Sequence, residues 1–159
     1  MVFSPTEARR ELEKQLSFAL YGAASRVSRM HKPFLEPLGL TFPQYLAMIA
    51  LLDGAPIGVG ALGTQLGMDT GTITPLVKRL EAAGLVTRTR DTGDERRVLV
   101  DLTPAGHATE EAVRGVAGQI ISACQLTDAD AESLRRTLET LASSDGDKAS
   151  IERVLQARP

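Results

Sequence analysis

The sequence predicts a mainly α-helical fold with a small β-hairpin wing, and three observations within residues 69–103 predict it. Ile73, Leu76, Val77 and Leu80 fall at i, i+3, i+4 and i+7, the apolar stripe of an amphipathic helix that Gly84 would end. Val86 to Arg90 and Arg97 to Leu102 are short β-rich runs. Between them Asp91-Thr92-Gly93-Asp94 is turn chemistry, with a glycine available for a positive φ. Thr103-Pro104 then reads as an N-cap followed by proline at the first helical position. A helix followed by a hairpin with a basic tip is the layout of a winged helix-turn-helix. Its helix enters a major groove and its hairpin reaches phosphates or the minor groove. An ordinary helix and hairpin of an α+β domain shares this pattern, so the rest of the chain has to decide. Pro75 leaves the helix start open. Either the helix begins near Thr72, with Pro75 in its first turn, or it begins at Asp69 and is kinked.

The other elements follow in order. Thr6 to about Phe34 reads as one long helix, with Leu12, Leu16, Leu20, Ala23, Val27, Met30 and Phe34 spaced by three and four. Pro33 and Pro37 break it. Thr41-Phe42-Pro43 starts a second helix, with Thr41 as N-cap and Leu46, Ile49 and Leu52 facing inward, and Gly54-Ala55-Pro56 closes it. Gly58 to Gly67 is a short third helix anchored by Leu62 and Leu66, and Gly67-Met68-Asp69 turns into the helix described first. A fifth helix runs from Pro104 to about Cys124. A sixth runs from Thr127, its N-cap, to about Leu155, with a break at residues 143–147 and a stripe of Leu134, Leu138 and Leu141. The expected organisation is one domain, 1–159. Residues 41–103 form its DNA-binding lobe, and 5–37 with 104–157 form a helical dimerisation region. The terminal helices carry more apolar stripe than a small head needs, and a homodimer is the economical explanation. Two readers side by side would bind a pseudo-palindrome with half-sites about 10 bp apart.

Composition narrows the function. With 43% hydrophobic residues the chain can build a core, although aromatics are only 4% and Trp is absent. No apolar run spans a bilayer, no signal sequence opens the chain, and one cysteine excludes an intrachain disulfide. A cytoplasmic protein with no membrane partner is expected. Net charge is −2, but it is unevenly spread. Residues 1–35 hold six Lys or Arg against three Glu, and residues 70–100 hold six basic against four acidic. Residues 101–159 hold six basic against ten acidic. The basic part coincides with the proposed reader, where phosphate neutralisation supplies sequence-independent affinity. Candidate DNA contacts are Thr70, Thr72, Thr74, Pro75, Lys78 and Arg79 on the helix, and Arg88, Arg90, Asp94, Arg96 and Arg97 on the hairpin. Arg96 at the wing tip is expected to reach the minor groove with Asp94 orienting its guanidinium, and Arg79 and Arg88 have structural pairing with Glu81 or Asp101 as the plainer role. The sequence holds no metal-ligand spacing, G-x-S-x-G or P-loop, so no cofactor or enzyme activity is expected.

LGTQLGMDTGTITPLVKRLEAAGLVTRTRDTGDERRVLVDLT (62–103) resembles the MarR family of winged-helix regulators. QLSFALY (15–21), HKPFLEPLGLTFPQYL (31–46) and DTGTITPLVKRLE (69–81) resemble its organic hydroperoxide resistance regulator branch. The resemblance covers roughly residues 12–140. It implies a homodimeric transcriptional repressor that holds its operator while reduced. Organic hydroperoxide oxidises one cysteine near the start of the first helix, and in the two-cysteine class a disulfide to the partner chain then releases DNA. The reactive position carries Ser17 here, which peroxide does not oxidise. Two tyrosines that hold the oxidised sulfur correspond to His31 and Phe42. Cys124 stands at the resolving position. Tyr21 is grouped with His31 and Phe42 as the sensor pocket, with core or interface packing as the plainer role of Tyr21 and Tyr45. The orphan Cys124 fits a cysteine-to-serine form locked in the reduced state. His31 and Phe42 fit a natural relative that has lost peroxide sensing. The alternative inducer is a small aromatic ligand between head and dimer helices. A winged module that binds protein would differ by lacking salt-dependent binding to duplex DNA.

Overall fold

The computed structural model describes residues 12–142, which divide into two compact units meeting at Ile120–Ile121. In the first unit, α1 (Leu16–Leu35) passes through a 3₁₀ turn (Glu36–Leu38) into α2 (Phe42–Gly54). Then come β1 (Ile57–Gly58), α3 (Val59–Leu66), α4 (Thr70–Ala82), β2 (Val86–Arg90), β3 (Val98–Leu102) and α5 (Pro104–Ala108). Helix α6 (Glu110–Ala123) crosses the boundary, and α7 (Asp128–Ala142) lies in the second unit.

Side-chain caps set several of the boundaries. Thr41 and Gln44 form a reciprocal capping box at the start of α2. The Asp69 carboxylate accepts from the Thr72 N–H at 2.8 Å and opens α4. Thr103 caps α5 and also donates to the Gly84 carbonyl at 2.6 Å, tying together the two ends of the β2–β3 hairpin. Gly84, at φ +75°, follows the C-cap of α4. Its N–H bonds to Glu81 O while that of Leu85 bonds to Leu80 O, a Schellman closure. The three strands form an antiparallel sheet ordered β1-β3-β2, with Ile57 opposite Val100 and Arg88 also opposite Val100. The core joins Leu35, Met48, Leu51, Leu62, Ile73, Val77, Leu80, Val86 and Val100 to Val113 and Val116 of α6.

Several expectations are corrected. The first helix is not continuous: residues 12–13 are helical, but Gln15 is extended (ψ 124°) and α1 begins at Leu16. Thr6–Glu11 lie outside the described residues. Pro33 does not break α1, which runs on to Leu35; a proline removes one donor, and the buried anchors His31 and Leu35 hold the last turns. In α2 the buried residues are Gln44, Tyr45, Ala47, Met48, Ala50 and Leu51, while Leu46, Ile49 and Leu52 are only half-buried. A helix this apolar has no clear polar face from which to infer its inward side. Leu66 is likewise half-buried, whereas Leu62 is fully buried. The two-residue β1 was not anticipated. The fifth helix is split at Thr109, where both its N–H and its hydroxyl turn back to Gly106 O. Helix α4 begins at Thr70, so Pro75 lies inside it beyond the first turn. Gly93 does not take a positive φ. The wing instead closes with Asp91 Oδ1 accepting from Gly93 N–H and Asp94 Oδ1 from Arg96 N–H. The Leu134, Leu138 and Leu141 stripe of α7 is exposed, and residues 143–157 of the expected sixth helix lie outside the described residues.

Candidate nucleic-acid interface

The outer surface of α4 follows from its buried one. Ile73, Leu76, Val77 and Leu80 anchor it inward. At about 100° per residue, Gly71, Pro75 and Lys78 then point away from the core, Thr70 and Thr74 lie on one flank, and Thr72 and Arg79 lie on the other. The α3–α4 turn needs a left-handed residue at Gly67 (φ +64°) and a close approach at Gly63. A Cβ at Gly63 would stand 2.9 Å from Met68 O and 3.1 Å from Ile73 Cγ2. These contacts let α3 brace α4 while its outer surface stays free.

On the Thr70 and Thr74 flank, a cleft of about 330 Å³ separates the α3–α4 pair from the wing, and Arg88, Arg96 and Arg97 line it. Arg88 is tied to Glu81 at 2.8 Å, across from β2 to α4, so it works as a strut as much as a contact. Arg97 lies over Gly58 and within 3.6 Å of Asp91 Oδ2. Arg96 does not pair with the Asp94 carboxylate through its guanidinium: Asp94 holds the Arg96 backbone instead, which fixes the loop and leaves the side chain outward. Lys78, Arg79, Arg90 and Arg96 are exposed and make no ion pair among the described residues. On the other flank a smaller cleft of about 220 Å³ lies between α4 and the first turn of α2, lined by Thr41, Pro43, Gln44, Thr72, Pro75 and Arg79. The sequence reading singled out no α2 residue for this surface, because only the tertiary packing brings Thr41 beside Thr72.

The second candidate group is split. His31 is buried in α1, with its Nδ1 2.8 Å from Val27 O, which requires the proton on Nδ1. Its ring lies 4.6 Å from that of Phe42 and 5.4 Å from that of Tyr45. The positions matched to two sensor tyrosines are therefore in contact, and Tyr45 joins them from the core. Burial pushes the Tyr45 phenol up from its ordinary value. Tyr21 does not join this cluster within one chain: it is 75% exposed on α1, ten residues and about 15 Å along the helix from His31. Ser17 is exposed in the first turn of α1, and Cys124 is a free, half-buried thiol just past α6. Among the described residues no three His, Cys, Asp or Glu side chains converge as a metal site, and no single helix is long and apolar enough to cross a membrane.

Comparison with known proteins agrees with this geometry. A profile of the MarR family matches residues 40–98. The organic hydroperoxide resistance transcriptional regulator of Bacillus subtilis is 39% identical over 131 residues, covering 82% of this chain and 89% of that protein. Reduced AbfR of Staphylococcus epidermidis bound to DNA superposes with a TM-score of 0.66 at 30% identity, covering 87% of this chain and 99% of that one. Bordetella bronchiseptica BpsR, whose DNA binding is regulated by 6-hydroxynicotinic acid, gives a TM-score of 0.75 at 26% identity, covering 83% of this chain and 96% of that one.

Proposed function

The chain belongs to the MarR family of DNA-binding transcriptional regulators, and from that premise we propose that it is a homodimeric, operator-binding repressor of the organic-hydroperoxide branch with Ser17 in the sensing position. The observation that carries the DNA reading is α4, which presents Thr70, Thr72, Thr74, Lys78 and Arg79 beside a wing bearing Arg90 and Arg96. Lys78, Arg79, Arg90 and Arg96 have no acidic partner among the described residues, so their charge is available to phosphate.

The His31–Phe42–Tyr45 cluster and the resemblance around residue 17 support the branch. A thiolate at position 17 would take an oxygen from an organic hydroperoxide, becoming a sulfenic acid as the peroxide leaves as alcohol. Condensation with Cys124 of a second copy would then expel water and leave a disulfide. A serine hydroxyl does neither, so this chain is locked in the DNA-binding form with respect to peroxide. The test is fluorescence polarisation on a duplex that the protein selects from a random pool, with and without cumene hydroperoxide. Both this chain and Ser17→Cys are expected to bind, and only the cysteine form to release. If both stay bound under oxidant, the peroxide reading fails.

A second inducer class has its own observation. A cavity of about 490 Å³ lies between the end of α1 and α6, with Phe34, Leu38, Val116 and Gln119 in its lining, and the chain is similar in structure to BpsR, whose DNA binding is regulated by 6-hydroxynicotinic acid. If an aromatic acid is the inducer, 6-hydroxynicotinate or salicylate raises the melting temperature and releases DNA from the unmodified chain.

A further inference from the structure

We propose that the cleft between α2 and α4 seats a backbone phosphate of the DNA strand opposite the one that the wing engages. The proposal rests on the DNA-binding reading above and adds the first turn of α2 to the interface. Helix α4 has two flanks, and each faces a cleft. Thr70 and Thr74 look toward the wing cleft with its three arginines. Thr72 and Arg79 look toward the α2 cleft. A helix inserted in a major groove about 12 Å wide lies between two sugar-phosphate backbones, so each flank meets a different strand.

The chemistry of the α2 cleft suits an anion. Arg79 is its only charged lining residue, is exposed, and pairs with no carboxylate among the described residues. Arg88, two strand-lengths of chain away, is by contrast already neutralised by Glu81. Thr72 adds a hydroxyl beside Arg79. The Asp69 carboxylate is engaged as the cap of α4, accepting from the Thr72 N–H. Pro43, Pro75 and Leu76 make the remaining wall apolar, so no second charge competes with Arg79 for the anion. Thr41 and Gln44 are held by their capping box, so the α2 side of the seat is rigid. A phosphate contact here fixes the rotation of α4 in the groove and carries no base preference.

The test uses the full chain and a duplex it selects from a random pool, with each phosphate in turn replaced by an uncharged methylphosphonate. In the unmodified chain, one replacement on the strand across from the wing is expected to weaken binding about tenfold. Arg79→Gln is expected to weaken binding by a similar factor, to lower the magnitude of the salt slope by about one for each protomer, and to abolish the effect of that same replacement. Pro43→Glu, an exposed change that suits the first turn of a helix, is expected to weaken binding comparably by placing a negative charge in the seat. If Arg79→Gln alters base preference at one pair and is uncoupled from every phosphate, Arg79 reads a base and the seat is overturned. Unchanged affinity in both variants overturns it as well. Failure of the unmodified chain to bind any duplex is a separate result, which overturns the DNA reading and the seat with it.

Discussion

Gly106 holds the joint between the reader and the helices that follow it. A Cβ there would collide with the Leu85 carbonyl oxygen and stand 3.1 Å from Leu102 Cδ2. The obstruction is partly backbone, and the same Leu85 carbonyl accepts from the Thr103 N–H, so it cannot step aside cheaply. Gly106→Ala is expected to cost at least ~1–3 kcal/mol, read as a lower urea midpoint. Gly118→Ala, with nothing within 4 Å of the added carbon, is expected to be neutral or to stabilise by up to ~1 kcal/mol. Equal effects at the two positions would refute the packing argument. Such residues are not legible in a sequence, because the constraint on Gly106 comes from residues about twenty positions earlier. Tyr45 was missed as a partner of His31 for the same reason: its ring contact depends on how α1 crosses α2. Positions 17, 31 and 42 could be singled out because a resemblance aligned them, and Tyr21 stands apart from His31 within one chain because about 15 Å of helix separates them.

Caps were the most legible feature at the scale of elements, since a cap is a contact over three residues. Thr41, Thr103 and Thr127 sit where a capping residue was expected, Asp69 caps the helix whose start the sequence left open, and each accepts from a backbone N–H three residues on. Asp69→Ala is expected to destabilise by about 1 kcal/mol and to weaken DNA binding as the start of α4 frays, checked by urea unfolding beside polarisation. Elements whose existence depends on distant pairing were not legible. Strand β1 has only two residues and exists because it pairs with Leu99 and Val100. Helix α7 is held at its start by Thr127 and Asp130, and hydrogen bonds from Thr127 keep the Asp130 carboxyl below its ordinary value. Further along, hydrogen bonds from Arg135 and then Arg136 lower Glu132 from 4.5 to about 2. A carboxylate with a lowered folded value contributes stability above the ordinary range and loses it as the pH falls through the folded value. The helicity of α7 is therefore expected to hold at neutral pH and to weaken between about pH 4.5 and 2. A carboxylate NMR titration checks this. Salt at 1 M should move Glu132 back toward the ordinary range, because these groups are exposed.

Across the whole molecule, charge and apolar surface separate by role. Among the described residues, four cations without an ion pair, Lys78, Arg79, Arg90 and Arg96, lie on α4 and the wing, while large apolar side chains are exposed elsewhere. Leu16, Phe18 and Tyr21 are exposed on α1, and Leu134, Leu138 and Leu141 on α7. Each set is more apolar surface than an isolated helix normally shows to water, and a second copy of the chain is the occupant that the repressor reading requires. The paired change Leu16→Glu with Phe18→Glu is expected to yield monomers by sedimentation and to reduce operator affinity at least tenfold, since two linked readers are replaced by one. Segment charges and stripe lengths are legible because they are properties of composition; the cavity between α1 and α6 is not, because tertiary packing builds it. The most direct test of the central claim is a hydroxyl-radical footprint of the unmodified protein on a duplex selected from a random pool. A paired winged reader gives two protected segments about 10 bp apart, related by two-fold symmetry, with flanking minor-groove protection that Arg96→Ala removes. A single asymmetric footprint, or one unchanged by loss of Arg96, would contradict a paired winged reader.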